Sequence, residues 1–318
     1  MLDEVTGKNK SKLQGVSVVI PAFGDTPFLV ETIASVQRQE NVTLEVIIVL
    51  DRPSSENRIL VSEISNNYSN IVVIESTSPG ISDALNLGIL NSSYSFIARM
   101  DSDDLMKPNR LSVQLAYLLS HPEIDCVGSQ IEFFGEIEQI QSQSLFPTKP
   151  YLISKGLKIR NVIAHPSVLF RKEKIIEVGL YRSKFNGGED YDLWLRLDTG
   201  RNIANLNSAL TQYRIHEGQE TKKNSSSQLN LDNQIRRTNL LENSSVADQE
   251  HLRLFVLRRK IQSAEVINKL LFTLRKRKSF QLSAGLILNV LNAFWLSPTL
   301  TCSFIRIFIL PRRHRIFR

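Results

Sequence analysis

Residues 101–104 read Asp-Ser-Asp-Asp and follow Phe96 to Met100, an apolar run whose length predicts a short buried strand. Three carboxylates within four residues at a strand end repel one another unless something positive sits among them. Their oxygens suit a hard divalent cation such as Mn2+ or Mg2+, which in turn holds phosphate oxygens. The competing reading is structural: an acidic turn in which Asp103 or Asp104 caps a helix with Pro108 in its first turn. The residues alone leave both readings open. A second acidic group, Glu189-Asp-Tyr-Asp-Leu-Trp-Leu-Arg-Leu197, reads as a helix that opens on its acids, with Leu193, Trp194 and Leu197 facing inward. Acids in a first turn complement the helix dipole, so they too have an ordinary explanation. Asp51 after an apolar run and His216 after a strand-like stretch each read, when isolated, as structural residues.

The elements that must position these side chains follow from the apolar pattern. Val16–Ile20, Leu44–Leu50, Asn70–Glu75 and Phe96–Met100 predict strands. Between them lie helical segments marked by Leu29, Ile33 and Val36, by Ile59 to Ile64, and by Leu85 and Ile89, the last capped by Ser82 or Asp83. This β-α-β-α-β-α-β order with short connections predicts an α/β fold, a mostly parallel sheet with helices on both faces. Ligands of such sheets bind beyond the carboxyl ends of the strands, where Asp51 and the 101–104 acids fall. No Gly-x-Gly-x-x-Gly follows the first strand and there is no Gly-Lys-Ser/Thr loop, which disfavours a dinucleotide fold or P-loop. Further on, Leu111, Leu115, Leu118 and Leu119 predict a helix, and Ile124–Gln130, Ser167–Phe170 after His165-Pro166, and Ile203–Ile215 predict strands. Gly135–Pro150 reads as a loop or surface hairpin.

The 318 residues, 42% hydrophobic and 22% charged, fit one or two globular domains. The two cysteines, Cys126 and Cys302, are far apart and outside metal-ligand spacing, as expected in a reducing compartment. The polar amino terminus predicts no signal peptide. Charge is divided unevenly: residues 251–318 hold 14 Lys and Arg against one acid, Glu265, leaving residues 1–250 with a net −6. Residues 221–250, rich in Gln, Asn and Ser, read as a linker. In the basic tail, clusters such as Arg275-Lys-Arg-Lys278 bracket 27 uncharged residues, Ser279 to Ile305. Gln281, Asn289, Asn292 and Pro298 weaken a spanning helix there, and Phe294 and Trp295 fit a segment lying in a membrane interface. An ordinary amphipathic helix packed on the body is the alternative.

Several segments together resemble the family 2 glycosyltransferases of GT-A fold, the bacterial enzymes that build surface polysaccharides. They are Val18-Val-Ile-Pro-Ala22, Glu45-Val-Ile-Ile-Val-Leu-Asp51, Gly80-Ile-Ser-Asp-Ala-Leu-Asn-Leu-Gly88 and Ala98-Arg-Met-Asp-Ser-Asp-Asp104, then His165-Pro-Ser-Val-Leu-Phe-Arg171, Gly188-Glu-Asp-Tyr-Asp-Leu-Trp-Leu195 and Gln212-Tyr-Arg-Ile-His216. The likeness covers residues 14–220 and implies a GT-A catalytic domain there, a Rossmann-like mixed, mostly parallel sheet. It implies that Pro21, Ala22 and Asp51 line the nucleotide pocket, that Asp83 lies beside the donor, and that Asp101-Ser102-Asp103 is the Asp-x-Asp motif binding Mn2+ or Mg2+ and the donor diphosphate. Asp190 matches the catalytic base, and His216 falls near the metal and diphosphate. Phe23-Gly24 and Leu50-Asp51-Arg52-Pro53 depart from the usual residues around the nucleotide base.

The resemblance therefore implies an inverting, metal-dependent transfer from a nucleotide sugar, a UDP-sugar foremost, to a glycan or lipid-linked acceptor. With the basic tail, the expected location is the cytoplasmic side of the bacterial plasma membrane, bound peripherally to its anionic surface through 251–318, with no nucleic-acid partner. Two other classes compete. A nucleotidyltransferase is expected to carry a Gly-rich, basic loop after its first strand, which Pro21-Ala-Phe-Gly24 is not. A non-catalytic sugar- or nucleic-acid-binding protein accounts for the tail without needing Asp101, Asp103 and Asp190 together.

Overall fold

The computed structural model describes residues 15–135, 143–216 and 225–242. The β-branched runs become β1 (Gly15–Phe23), β2 (Thr43–Asp51), β3 (Ile71–Glu75) and β4 (Phe96–Arg99), separated by α1 (Leu29–Gln37), α2 (Ser55–Asn67) and α3 (Ile81–Asn91). There follow β5 (Leu105–Met106), α4 (Arg110–Ser120), β6 (Cys126–Gly135), α5 (Pro150–Leu157), β7 (Leu169–Arg171), α6 (Lys172–Glu177), α7 (Glu189–Leu197), β8 (Ile203–Ile215) and α8 (Ser225–Glu242). Single 3-10 turns form at His165–Ser167 and Ser183–Phe185.

The strands make one sheet in the order β3-β2-β1-β4-β7-β6-β8-β5. The β1–β2, β2–β3, β1–β4 and β6–β8 pairs are parallel, and β7 and β5 run antiparallel to their neighbours. This is the mixed, mostly parallel sheet expected. Alternate residues of β1 go to opposite faces, as a pleated strand requires. Val16, Val18 and Ile20 pack with Leu29 and Ile33 of α1 and Leu111 and Leu115 of α4. Val19 packs the other way, with Leu85 and Ile89 of α3 and Leu193 and Trp194 of α7. Gly88 permits the close approach of α3, because a Cβ there would stand 2.4 Å from a methyl of Val19.

The structure corrects several expectations. The strand expected at Ser167–Phe170 begins only at Leu169, since the 3-10 turn opened by His165-Pro166 runs through Ser167. Leu119 is exposed, being the turn-end residue on the solvent side of α4. Neither Ser82 nor Asp83 caps α3; both lie inside its first turn, and Asn186 accepts the Ser82 N–H from across the site at 3.3 Å. The linker reading fails for residues 225–242, which form α8, with Ile235 and Asn239 buried. Up to Leu240 this helix belongs to the same unit as the sheet. The tail at 251–318 lies outside the described residues. Among the described residues no helix is long and apolar enough to cross a membrane.

Candidate active site

The carboxyl ends of β1, β2 and β4 lie side by side because these strands pair in register, Phe23 beside Asp51 and Val19 beside Arg99. The loops beyond them are bolted together: Asn57 donates to the Gly24 carbonyl at 2.7 Å and accepts from Thr26 at 2.8 Å. Pro21 is half-buried there, whereas Ala22 is fully buried in the core. Asp51 is nearly buried; its Oδ2 accepts the Gly80 N–H at 2.9 Å and its Oδ1 faces Arg52 Nε at 3.2 Å. Arg52 holds a left-handed φ of 50°, and its guanidinium lies 4.6 Å from the ring centroid of exposed Phe23. Asp83 is half-exposed on the first turn of α3.

The acid turn after β4 is not a helix cap. α4 begins at Arg110, with Asn109 before it. Instead the turn is held by α1 and by the end of β8. Thr32 of α1 donates to the carbonyls of Ser102, at 3.0 Å, and Asp104, at 2.9 Å. From β8, the Arg214 N–H reaches Asp104 Oδ1 at 2.8 Å, and Arg214 Nε reaches the Asp103 carbonyl at 2.7 Å. The Arg214 guanidinium lies between the rings of Phe28 and Phe134, 4.2 and 4.6 Å from their centroids. His216, two residues on, sets Nε2 2.9 Å from Asp103 Oδ2.

Asp101, Asp103 and Asp104 each offer an oxygen within 4.8 Å of the others. Burial, and then the charges of Asp101 and Asp103, hold Asp104 well above the ordinary aspartate range. Burial likewise raises Asp101, against the pull of the Arg99 charge. Asp104 Oδ2 is buried and has no hydrogen-bond partner. A hard dication fits this donor set: it offsets the mutual repulsion and takes up the orphaned oxygen.

Arg99 and Arg110, both buried, join the site's machinery without any motif to mark them. An arginine inside a buried strand needs a partner, and that was the available signal for Arg99. Arg99 Nη1 meets Asp101 Oδ2 at 2.5 Å, and its charge also acts on Glu189 and Asp190. Burial pushes the Arg110 guanidinium down to about 9, which leaves it charged at neutral pH. It holds the strand end through the Arg99 carbonyl at 2.9 Å and the Val168 carbonyl at 3.2 Å.

α7 carries the second acidic group, within reach of the Arg99 charge. Asp190 accepts from Asn161 at 2.7 Å and from the Tyr191 N–H at 2.7 Å. Burial raises it above the usual aspartate value, although those hydrogen bonds and the Arg99 charge oppose the shift. Glu189, nearly buried, accepts the Gly187 N–H at 2.7 Å and lies 3.9 Å from His165 Nδ1. His165 bonds Tyr181 Oη at 2.8 Å, and burial, then Arg99, push it well below its ordinary value, so it stays neutral. Asp192 is the structural acid of the group. Burial raises it, but Arg182, Asn239 and Arg196 together hold it below the ordinary range.

Glu189 carries a pH prediction. Burial, then the Asp190 charge, push its carboxyl up to about 7. Between the unfolded value of roughly 4.3 and that pKa, the folded protein binds a proton that the unfolded chain has lost, so stability falls as pH rises through the window. The slope is at most about 1.4 kcal/mol per pH unit. Glu189→Gln is expected to flatten it, measured by urea unfolding at about pH 5 and about pH 7. An unchanged slope would place the titrating group elsewhere.

Comparison with known proteins is consistent with this geometry. Residues 17–179 match the family model described as Glycosyl transferase family 2. The amylovoran biosynthesis glycosyltransferase AmsE of Erwinia amylovora is 30% identical over 197 residues, 61% of this chain and 73% of AmsE. The O-antigen biosynthesis glycosyltransferase WbnJ of Escherichia coli is 40% identical over 43% of this chain and 54% of WbnJ. An E. coli UDP-Gal:alpha-D-GlcNAc-diphosphoundecaprenol beta-1,3-galactosyltransferase is 30% identical over 63% of this chain and 72% of its own length. Among solved structures, S. aureus TarS 1–349 in complex with UDP-GlcNAc superposes with a TM-score of 0.59 over 88% of this chain and 80% of that one. At 17% identity this shows the shared GT-A fold alone.

Proposed function

This chain belongs to glycosyl transferase family 2 and is a glycosyltransferase, and on that premise we propose that it moves a sugar, with inversion, from a UDP-sugar to a lipid-linked glycan in surface-polysaccharide synthesis. The observation that carries the reading is Arg99. It pairs with Asp101 on the acid turn while its charge acts on Asp190, which supports a site shared by the acid cluster and the expected base.

In this reading Asp190, fixed by Asn161 and the Tyr191 N–H, takes the proton of the acceptor hydroxyl as its oxygen attacks the anomeric carbon from the face opposite the diphosphate. One base and in-line attack give inversion through an oxocarbenium-like transition state. Asp51 and Pro21 border the nucleotide, and Asp83 lies beside the donor. Mn2+ or Mg2+ held by Asp101 and Asp103, with Asp104 Oδ2 as a further oxygen and His216 alongside, would supply Lewis-acid neutralisation of the diphosphate leaving group. UDP is favoured because one relative is named for UDP-Gal and a structural neighbour holds UDP-GlcNAc. The same relative's diphosphoundecaprenol substrate supports a lipid-linked acceptor.

The test is thermal shift with UDP-, GDP- and dTDP-sugars, each with and without Mn2+. Metal-dependent stabilisation by a UDP-sugar is expected, and binding only to nucleic acid would overturn the reading. The basic tail at 251–318 supports peripheral attachment to anionic lipid on the cytoplasmic side of the membrane. The full chain is expected to float with anionic liposomes and a chain ending at Glu250 to sink; equal flotation of both removes the tail as the anchor.

A further inference from the structure

We propose that α8 is the latch that holds Asp190 in position, with Arg236 and Asn239 as its positioning residues. The proposal rests on Asp190 being the base. Asp190 is set by two pieces of chain, the start of α7 and the segment 157–162, which carries Asn161. α8 binds both. On the α7 side, Asn239 Nδ2 donates to buried Asp192 Oδ1 at 2.9 Å, two residues beyond the base. Ile235 and Leu231 fill the space left by the absent side chain of Gly188, where a Cβ would stand 2.7 Å from Ile235 Cδ1 and 3.2 Å from Leu231 Cδ2. On the other side, Arg236 Nη1 donates to the Ile159 carbonyl, two residues before Asn161, and lies 3.5 Å from Tyr191 Oη. Tyr191 in turn donates to the Leu157 carbonyl at 2.5 Å. One helix thus ties the residue after the base to the segment that supplies the base's hydrogen-bond donor. Asp232 of α8 lies close enough for its charge to raise Asp190.

Among the described residues, Arg236 and Asn239 make no hydrogen bond to Asp101, Asp103 or Asp51, so loosening α8 should spare the donor side. A base displaced by about 1 Å loses on the order of 10²-fold in rate. The experiment uses the full chain with Arg236→Ala, Arg236→Lys, Asn239→Ala, the exposed-face control Arg237→Ala, and Asp190→Asn. Amide hydrogen exchange is read over peptides spanning 187–193 and 96–106. UDP affinity with Mn2+ is measured by calorimetry, and UDP release is followed from the UDP-sugar that the unchanged protein consumes. Arg236→Ala and Asn239→Ala are expected to speed exchange at 187–193 about tenfold, leave 96–106 and UDP affinity unchanged, and lower kcat about 10- to 100-fold. Arg236→Lys is expected to recover part of kcat, and Arg237→Ala to behave as the unchanged protein. Unaltered exchange at 187–193 in both alanine variants overturns the latch, as does a loss of UDP affinity matching the loss in kcat. Full turnover by Asp190→Asn overturns the base assignment instead, whatever the α8 variants do.

Discussion

Asp190→Asn is expected to lower transfer by about 10²–10⁴-fold, the range for loss of a positioned general base, while UDP and Mn2+ still stabilise the protein. The substitution keeps the size of the side chain, and its oxygen can still accept the Tyr191 N–H at the position now 2.7 Å away. Its new amide must face Asn161 Nδ2, which stands 2.7 Å from the replaced oxygen. Two donors cannot satisfy each other, so a stability cost of about 1 kcal/mol is expected. That is small beside the rate effect, and urea unfolding separates the two. Because burial raises Asp190, transfer in the unchanged protein should be lost as pH falls through a value above the usual aspartate range. Turnover by Asp190→Asn within a few-fold of the unchanged protein would show that another group takes the proton.

Asp103→Asn is expected to have opposite effects on the metal-free and metal-bound protein. Removing one of three crowded charges relieves repulsion on Asp101 and Asp104, both of which the Asp103 charge raises. The metal-free variant should therefore be at least as stable as the unchanged protein, less what is lost with the half-buried His216 contact at 2.9 Å. With Mn2+ the order reverses. A ligand at about 100 times its Kd stabilises by about 2.7 kcal/mol, or roughly 5–10 °C in a domain of this size. The variant should lose most of that shift. An equal Mn2+ shift in both proteins would remove Asp103 from the metal site. Asp103 is the better choice for this test than Asp101, because removing Asp101 also strands the buried Arg99 charge, a change that destabilises on its own.

How much of this was legible in the chain differs by element. The four strands up to Met100 and the helices around Ile33 and Ile89 were readable because their apolar residues recur at the period of the element and bury against the same sheet. The short β5 was not, since two residues carry no period and it exists only by pairing with Gln212 and Thr211. α8 is concealed by the Gln, Asn and Ser content of its segment. Leu231, Ile235 and Asn239 stand at i, i+4 and i+8, the spacing of one helix face, but one of the three is polar and its burial depends on Asp192.

The sequence by itself determined which residue types the site could contain: a run of acids after a buried strand, and acids opening an amphipathic helix. Those are local facts, carried by neighbours in the chain. Only the tertiary structure decided which distant residues hold them. Arg214 reaches Asp104 across 110 residues of chain, and Asn239 reaches Asp192 across 47. It likewise decided that Asp104 is buried with an unpartnered oxygen while Ala22 turns into the core. Such contacts follow from how the whole sheet packs, and no local spacing encodes them, because a hydrogen bond between distant residues depends on every element that brings the two together.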